Sequence, residues 1–312
     1  MSADRGLVTT RRAAMGAEVE ITSDATPTAI RTALAVVRRL EARWSRFLPG
    51  NELALLNAAD GPAVARPSTA RILEVALAGS RLTGGWFDPT RGADLRGAGY
   101  DRSLADGWSS PSAIADRHGG LHIDAKTGLV HIPAGAEIDL GGIAKGWAAD
   151  VAAALLRRAG ASYAGVAIGG DVRVCSETRV LVEVASPHDR SHRPALVALR
   201  DGGVAVSGPT KRRADDGRHH LIDPFTGRPS AHPRVAAVIA ATAAGAEMIA
   251  TAAAIAPLPD AVEIIRSLGA TAWLVEPDGS VTTVGEPARY LIDPGWLEEP
   301  SHRQRSSREW TA

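Results

Sequence analysis

Glu137-Ile-Asp-Leu-Gly-Gly-Ile-Ala-Lys-Gly146 packs a change of backbone geometry into one short run. A strand-like end meets a glycine pair, and a helix is predicted to begin near Ala144. Glycines let a backbone come close to a bound group, and the N–H groups at a helix start attract anions. Lys145 adds a point charge. The run is neither G-x-x-x-x-G-K-[ST] nor G-x-G-x-x-G, so it announces neither a P-loop nor a dinucleotide-binding parallel sheet. The alternative, a tight strand-to-helix turn with a solvated lysine, accounts for the spacing equally well.

Reading outward, the helix continues from Ala144 to Gly160, with Val151, Leu155 and Leu156 on one side. Strand-like runs follow at Gly165–Ile168, Val172–Cys175, Val180–Val184, Leu196–Leu199, Gly203–Ser207 and Val235–Ala241. Helices are predicted over Ala244–Ala256 and Asp260–Leu268, then a hairpin of Ala270–Glu276 with Val281–Val284 around Pro277-Asp278-Gly279. Upstream, Met15–Ile21 reads as a short strand and Thr28–Phe47 as an amphipathic helix stopped by Pro49-Gly50-Asn51. Ser68–Thr83 reads as a second helix with Ser68 as its N-cap and Gly84-Gly85 as its stop. Tyr100–His122 has no pattern, and Leu121–Ile123 with Leu129–Ile132 reads as a hairpin. Helices and strands alternate irregularly. The expectation is therefore one α+β domain over residues 15–293, with mixed or antiparallel sheets flanked by helices. Residues 1–14 read as a flexible N-terminus and 294–312 as a disordered basic tail.

The 312 residues carry 35 Lys+Arg against 35 Asp+Glu, so no net charge draws the chain to nucleic acid or to an anionic membrane. The single cysteine, Cys175, excludes an intrachain disulfide. Neither a leader nor a spanning segment is read. The alanine-rich stretch from Val235 to Pro257 contains Glu247 and resolves into a strand and a helix. A soluble cytoplasmic protein without membrane insertion is expected.

Four further segments carry polar groups. Ala167-Ile-Gly-Gly-Asp171 ends a strand in two glycines and an acid. His219-His-Leu-Ile-Asp-Pro-Phe-Thr-Gly-Arg-Pro229 is a loop stiffened by two prolines, in which His220 or Asp223 can serve as a general base. Gly84-Gly-Trp-Phe-Asp-Pro-Thr90 offers two aromatics to a flat ring. Ala246-Glu-Met-Ile-Ala-Thr251 puts Glu247 and Thr251 on one helical face, an oxygen pair suited to Mg²⁺. Each has an ordinary structural explanation as a turn, a helix stop or a solvent-facing helix.

Their order removes that ambiguity. The series MG, RFLPGNELALLN, GGWFDPT, DLGGIAKGWAAD, IGGD, VSG, HHLIDPFTGRP and AEMIAT, from about Met15 to Val284, resembles the ApbE family of FAD:protein FMN transferases. The resemblance implies an α+β fold with an internal duplication. It also implies cleavage of the FAD pyrophosphate, transfer of FMN to a Thr or Ser of an acceptor flavoprotein, and release of AMP. FAD is then the substrate and Mg²⁺ the metal. Carried over by motif, Met15, Arg46, Phe47, Trp86, Phe87, Asp88, Asp139, Lys145, Gly169, Gly170, Asp171 and His220 contact FAD. The carbonyl of Gly142, with Glu247 and Thr251, binds the metal. The chain departs from the family pattern at Ala17 and Val206, where hydroxyls are expected, and at Glu247, where the family has aspartate. FAD hydrolysis to FMN and AMP, or flavin binding without turnover, stays open as an alternative.

Overall fold

The computed structural model describes residues 6–100, 120–124, 126–186, 193–209, 219–231 and 233–297. The strands are β1 Val8–Ala14, β2 Ala17–Ser23, β3 Ala63–Val64, β4 His122–Asp124, β5 Leu129–His131, β6 Tyr163–Ile168 and β7 Asp171–Val184. They continue with β8 Ala195–Ser207, β9 Ile222–Asp223, β10 Arg228–Pro229, β11 Val235–Ala240, β12 Thr271–Val275, β13 Val281–Val284 and β14 Leu291–Asp293. The helices are α1 Pro27–Trp44, α2 Glu52–Asn57, α3 Pro67–Leu82, α4 Gly92–Gly97, α5 Ala144–Arg158, α6 Ala243–Ile255, α7 Leu258–Ser267 and α8 Pro287–Tyr290.

Among the described residues, one antiparallel sheet runs β1-β2-β6-β7-β8-β11-β12-β13, with β14 pairing β8. Alternation sorts its side chains between two cores. Ala236 and Val238 of β11, with Leu274 of β12, face the large core under α1, α3, α5 and α6, while Val235, Ala237, Ile239 and Trp273 face a smaller one. The smaller core is closed by Trp296 and Leu297, and the Trp296 indole donates to the Val184 carbonyl at 2.7 Å. The α+β expectation therefore holds.

Several boundaries differ from the sequence reading. Val8–Ala14 is not a flexible arm: it pairs with β2 along its length, with Thr9 against Thr22 and Arg11 against Glu20. Cross-strand polar pairs of this kind stabilise an edge strand that has no apolar alternation to reveal it. Pro294–Leu297 belongs to the fold because Trp296 and Leu297 are buried; residues 298–312 lie outside the described residues, as does most of Tyr100–His122. The two short runs at 172–184 are one strand with an irregular register between Cys175 and Val180, and those at 196–207 are likewise one. Ser68 does not cap α3. Arg66 takes that place with no side-chain bond, and the Ser68 hydroxyl accepts instead from Arg43 at 2.8 Å.

Two close approaches fix the floor of the molecule. A Cβ on Gly146 would stand 2.6 Å from the Ala244 nitrogen, so α5 and α6 touch backbone to backbone. Asp150 of α5 accepts from Ala243 N and Ala244 N, each at 2.9 Å, and so fills the open N–H groups at the start of α6.

Candidate active site

A cavity of about 400 Å³ opens where the β1–β2 turn, the start of α5, the end of β8 and the middle of α6 meet. Its wall includes Met15, Arg46, Phe47, Trp86, Phe87, Asp88, Asp139, Gly142, Lys145, Gly169, Asp171, His220, Glu247 and Thr251, all expected from the sequence. Gly170 and Asp223 do not line it. Gly170 is exposed in the β6–β7 turn with φ 97°, so its contribution is the turn itself. Asp223 is spent on its own loop: Oδ1 accepts from Phe225 N at 2.8 Å, and its carbonyl accepts from Gly227 N at 2.8 Å. As a turn former outside the cavity, it drops out as a base candidate.

The two histidines separate by role. His219 is buried, with Nε2 at 3.1 Å from the Ser230 carbonyl and Nδ1 accepting from Leu221 N at 3.3 Å. It therefore braces the loop. His220 faces the cavity, its ring 6.0 Å from that of Tyr100. Further along this loop, Phe225 meets Trp86 edge to face with centroids 4.7 Å apart.

The cavity begins at a strained turn. Met15 and Gly16 join β1 to β2 with φ of 58° and 65°. Both signs are those of a two-residue type I′ turn, and Met15 is the one non-glycine residue with positive φ among the described residues. Across from it, the Arg46 guanidinium lies 4.1 Å from the Tyr100 ring centroid and 4.7 Å from that of Phe47. Arg46 Nε is 3.4 Å from Asp139, while Nη1 and Nη2 are buried without hydrogen-bond partners among the described residues. Two buried guanidinium nitrogens without acceptors are costly, and a carboxylate or phosphate would satisfy both. Asp88, by contrast, is already engaged: Thr90 donates to Oδ1 at 2.7 Å and Arg91 to Oδ2 at 3.0 Å.

At the floor, Lys145 bridges two acids. Its ammonium is 2.5 Å from Asp171 Oδ2 and makes a short contact with Glu247 Oε1. Glu247 Oε2 accepts from Gly146 N at 2.8 Å. Only 3% of Glu247 is exposed. Burial pushes its carboxyl up to about 7, Asp171 pushes the same way, and Lys145 pulls against both. From α6, the Glu247 side chain reaches across to the start of α5. The start of α5 is a poorer anion site than the sequence implied, because Ile143 N and Ala144 N are taken by the Leu140 carbonyl and Gly146 N by Glu247. Positive charge for an anion comes instead from Lys145 and Arg46.

Gly142, Thr251 and Ser207 meet at one side of the cavity. A Cβ on Gly142 would lie 3.3 Å from Thr251 Oγ1, which is 3.4 Å from Ser207 Oγ. Thr251 and Ser207 offer hydroxyl oxygens, and Glu247 in the same wall a carboxylate, hard ligands of the kind Mg²⁺ takes. No group of three or more His, Cys, Asp or Glu able to hold a metal occurs among the described residues. The residues therefore fit an ion that draws further ligands from a hydroxyl, a carbonyl and a bound phosphate.

Sequence reasoning missed Tyr100 and Ser207. Tyr100 sits in a segment without periodicity and is recognised only by its stacking on Arg46. Ser207 lay in a quoted motif, but nothing in the sequence faced it toward Thr251.

A cleft walled by aromatic side chains, with Arg46 and Lys145 reaching into it, suits an elongated ligand with ring and anionic parts. This chain belongs to the ApbE family, whose model matches residues 15–291. It is 33% identical over 263 residues to the FAD:protein FMN transferase of Treponema pallidum, covering 73% of this chain and 72% of that one. The FAD:protein FMN transferase of Rhodobacter capsulatus is 29% identical over 305 residues, 87% of this chain and 56% of that relative. The ApbE protein of Thermotoga maritima superposes with a TM-score of 0.79 at 26% identity, covering 89% of this chain and 97% of its own. The flavin transferase ApbE of Vibrio cholerae shares the fold with a TM-score of 0.73 at 22% identity, covering 89% and 97%.

Proposed function

We propose that this protein transfers FMN from FAD to a Thr or Ser hydroxyl of an acceptor flavoprotein and releases AMP. The observation that carries the reading is the cavity itself, in which Arg46 and Lys145 offer positive charge beside Trp86 and Phe87. Its relatives' shared name, FAD:protein FMN transferase, specifies the ligand that fits such a cavity.

Arg46, with two buried nitrogens awaiting acceptors, binds pyrophosphate oxygens. Lys145 faces the same charge from the floor. Gly169 has φ 59°, and a Cβ there would stand 2.9 Å from Ala17 Cβ, so the glycine lets the β6–β7 turn close against β2. The acceptor oxygen forms a bond to the FMN phosphorus as the bond from that phosphorus to the AMP oxygen breaks. His220 takes the hydroxyl proton, and the leaving charge resides on AMP. Gly142, Thr251 and Glu247 would hold Mg²⁺, which would supply Lewis-acid neutralisation of the pyrophosphate.

The test is incubation of the protein with FAD, Mg²⁺ and a candidate acceptor flavoprotein. Transfer gives an FMN-sized mass gain on the acceptor with matching AMP. AMP and FMN formed without any acceptor would replace transfer by hydrolysis. FAD bound with no AMP under any metal would leave a flavin-binding protein.

A further inference from the structure

Lys145 stands where a cation is wanted. Its ammonium lies between Asp171, 6% exposed, and Glu247, 3% exposed, in a pocket that also holds Thr251 and Ser207. Every Glu247 oxygen is engaged, one by Lys145 and the other by Gly146 N. Two buried carboxylates side by side repel, and the ammonium between them offsets one of the two charges where a divalent ion would offset both. A second positive charge cannot approach Glu247 Oε1 while the ammonium is there, because their repulsion at contact distance in a buried site is large and poorly screened by salt.

We infer that Lys145 is a positioning residue that reserves the metal site. In the free protein it occupies the place of the divalent cation. A pyrophosphate-bearing substrate draws the ammonium off Glu247 and opens the site. The substrate thus admits its own metal, and binding is ordered. The inference rests on the proposed FAD reading for the identity of that substrate, but its first consequence concerns the free protein alone.

The flexible stem allows the movement. Lys145 is in the first turn of α5, and it, Asp139 and Arg46 line the same cavity. Rotation about the side-chain torsions carries the ammonium from the acids toward an anion beside Arg46 without moving a helix. Helix movement is closed off in any case by the backbone contact of α5 and α6 at Gly146.

The experiment titrates Mn²⁺, followed by loss of its free electron-paramagnetic signal, into full-length protein without FAD. Wild type is compared with Lys145→Met, each checked for folding by circular dichroism. Lys145→Met is expected to bind Mn²⁺ at least roughly tenfold more tightly than wild type, since the competing charge is gone. Equal or weaker binding by folded Lys145→Met would overturn the inference. Wild type carries a second readout that does not depend on the variant folding. With ¹⁵N-lysine labelling and EDTA present, the Lys145 Nζ signal should be protected from solvent exchange in the free protein and shift when FAD is added. A signal already exchanging freely before FAD would also overturn it. Failure of FAD to bind at all would instead sink the FMN-transfer reading and leave the Mn²⁺ comparison standing.

Discussion

Gly146→Ala tests whether the floor of the site and the stability of the fold are one structure. The new Cβ would meet Ala243 and Ala244 backbone atoms, at 2.5 Å from Ala243 C and 2.6 Å from Ala244 N. Neither can rotate away, so α5 and α6 must part by about 1 Å to reach ordinary van der Waals distance. That separation stretches the Glu247–Gly146 bond, now 2.8 Å, and both Asp150 bonds to α6, now 2.9 Å, beyond hydrogen-bonding range. Overpacking costs about 1–3 kcal/mol, and each carboxylate-accepted bond about 1.5–3 kcal/mol. Alanine's better helix propensity returns at most about 1 kcal/mol. Counting the overpacking and the three bonds, less the gain in helix propensity, the net loss is about 4.5 kcal/mol or more, a large part of the stability of a domain. Urea unfolding followed by circular dichroism measures it. Gly61→Ala, where nothing lies within 4 Å of the added Cβ, is the control and should fall within about 0.5 kcal/mol of wild type. A Gly146→Ala protein as stable as that control would refute the claim that the two helices meet backbone to backbone.

Other substitutions probe single groups. Arg46→Lys keeps the charge but not the fork of nitrogens stacked on Tyr100, and it should weaken FAD binding about tenfold or more by fluorescence titration; full retention would mean the guanidinium geometry is irrelevant. Met15→Gly relieves about 1 kcal/mol of left-handed strain and loses a similar amount to chain entropy, so its melting temperature should be unchanged while FAD affinity falls. A parallel loss of stability would show that Met15 serves packing instead. Burial raises the Glu247 carboxyl from 4.5 to about 7. Its stabilising contribution is therefore complete below about pH 4.5 and lost as pH rises through 7. In EDTA, wild type should lose stability relative to Glu247→Gln by on the order of 3 kcal/mol between pH 5 and 8. A constant difference across that range would show that Glu247 does not titrate there.

Much of this site could be read from the sequence because its parts are local. DLGGIAKG folds into a turn and helix start from its own residues, and Trp86 with Phe87 follows directly from a glycine-terminated helix. What escaped is non-local. Lys145 meets Glu247 across 102 residues, and no spacing rule reports that encounter. Glu247 read equally well as solvent-facing because α6 is alanine-rich on every side and has no polar face to orient it. Residues 8–14 looked flexible for a related reason: an edge strand held by Thr–Thr and Arg–Glu pairs shows no apolar alternation. The pairing of His220 with the cavity and His219 with Ser230 likewise depends on how the proline-bounded loop lies, not on either residue's type.

The burial of Trp296 and Leu297 sets an order of events during synthesis. Strand β14 pairs with β8 about a hundred residues earlier, and the Trp296 indole bonds the Val184 carbonyl across a separation of 112 residues. The smaller core thus stays open to water until nearly every described residue has left the ribosome. The upstream sheet and the α5–α6 floor can assemble before then, because their contacts lie within residues already made. A nascent chain stalled short of Trp296 should therefore hold its ligand cavity while leaving Val182, Val197 and Trp273 within reach of a protease or a chaperone.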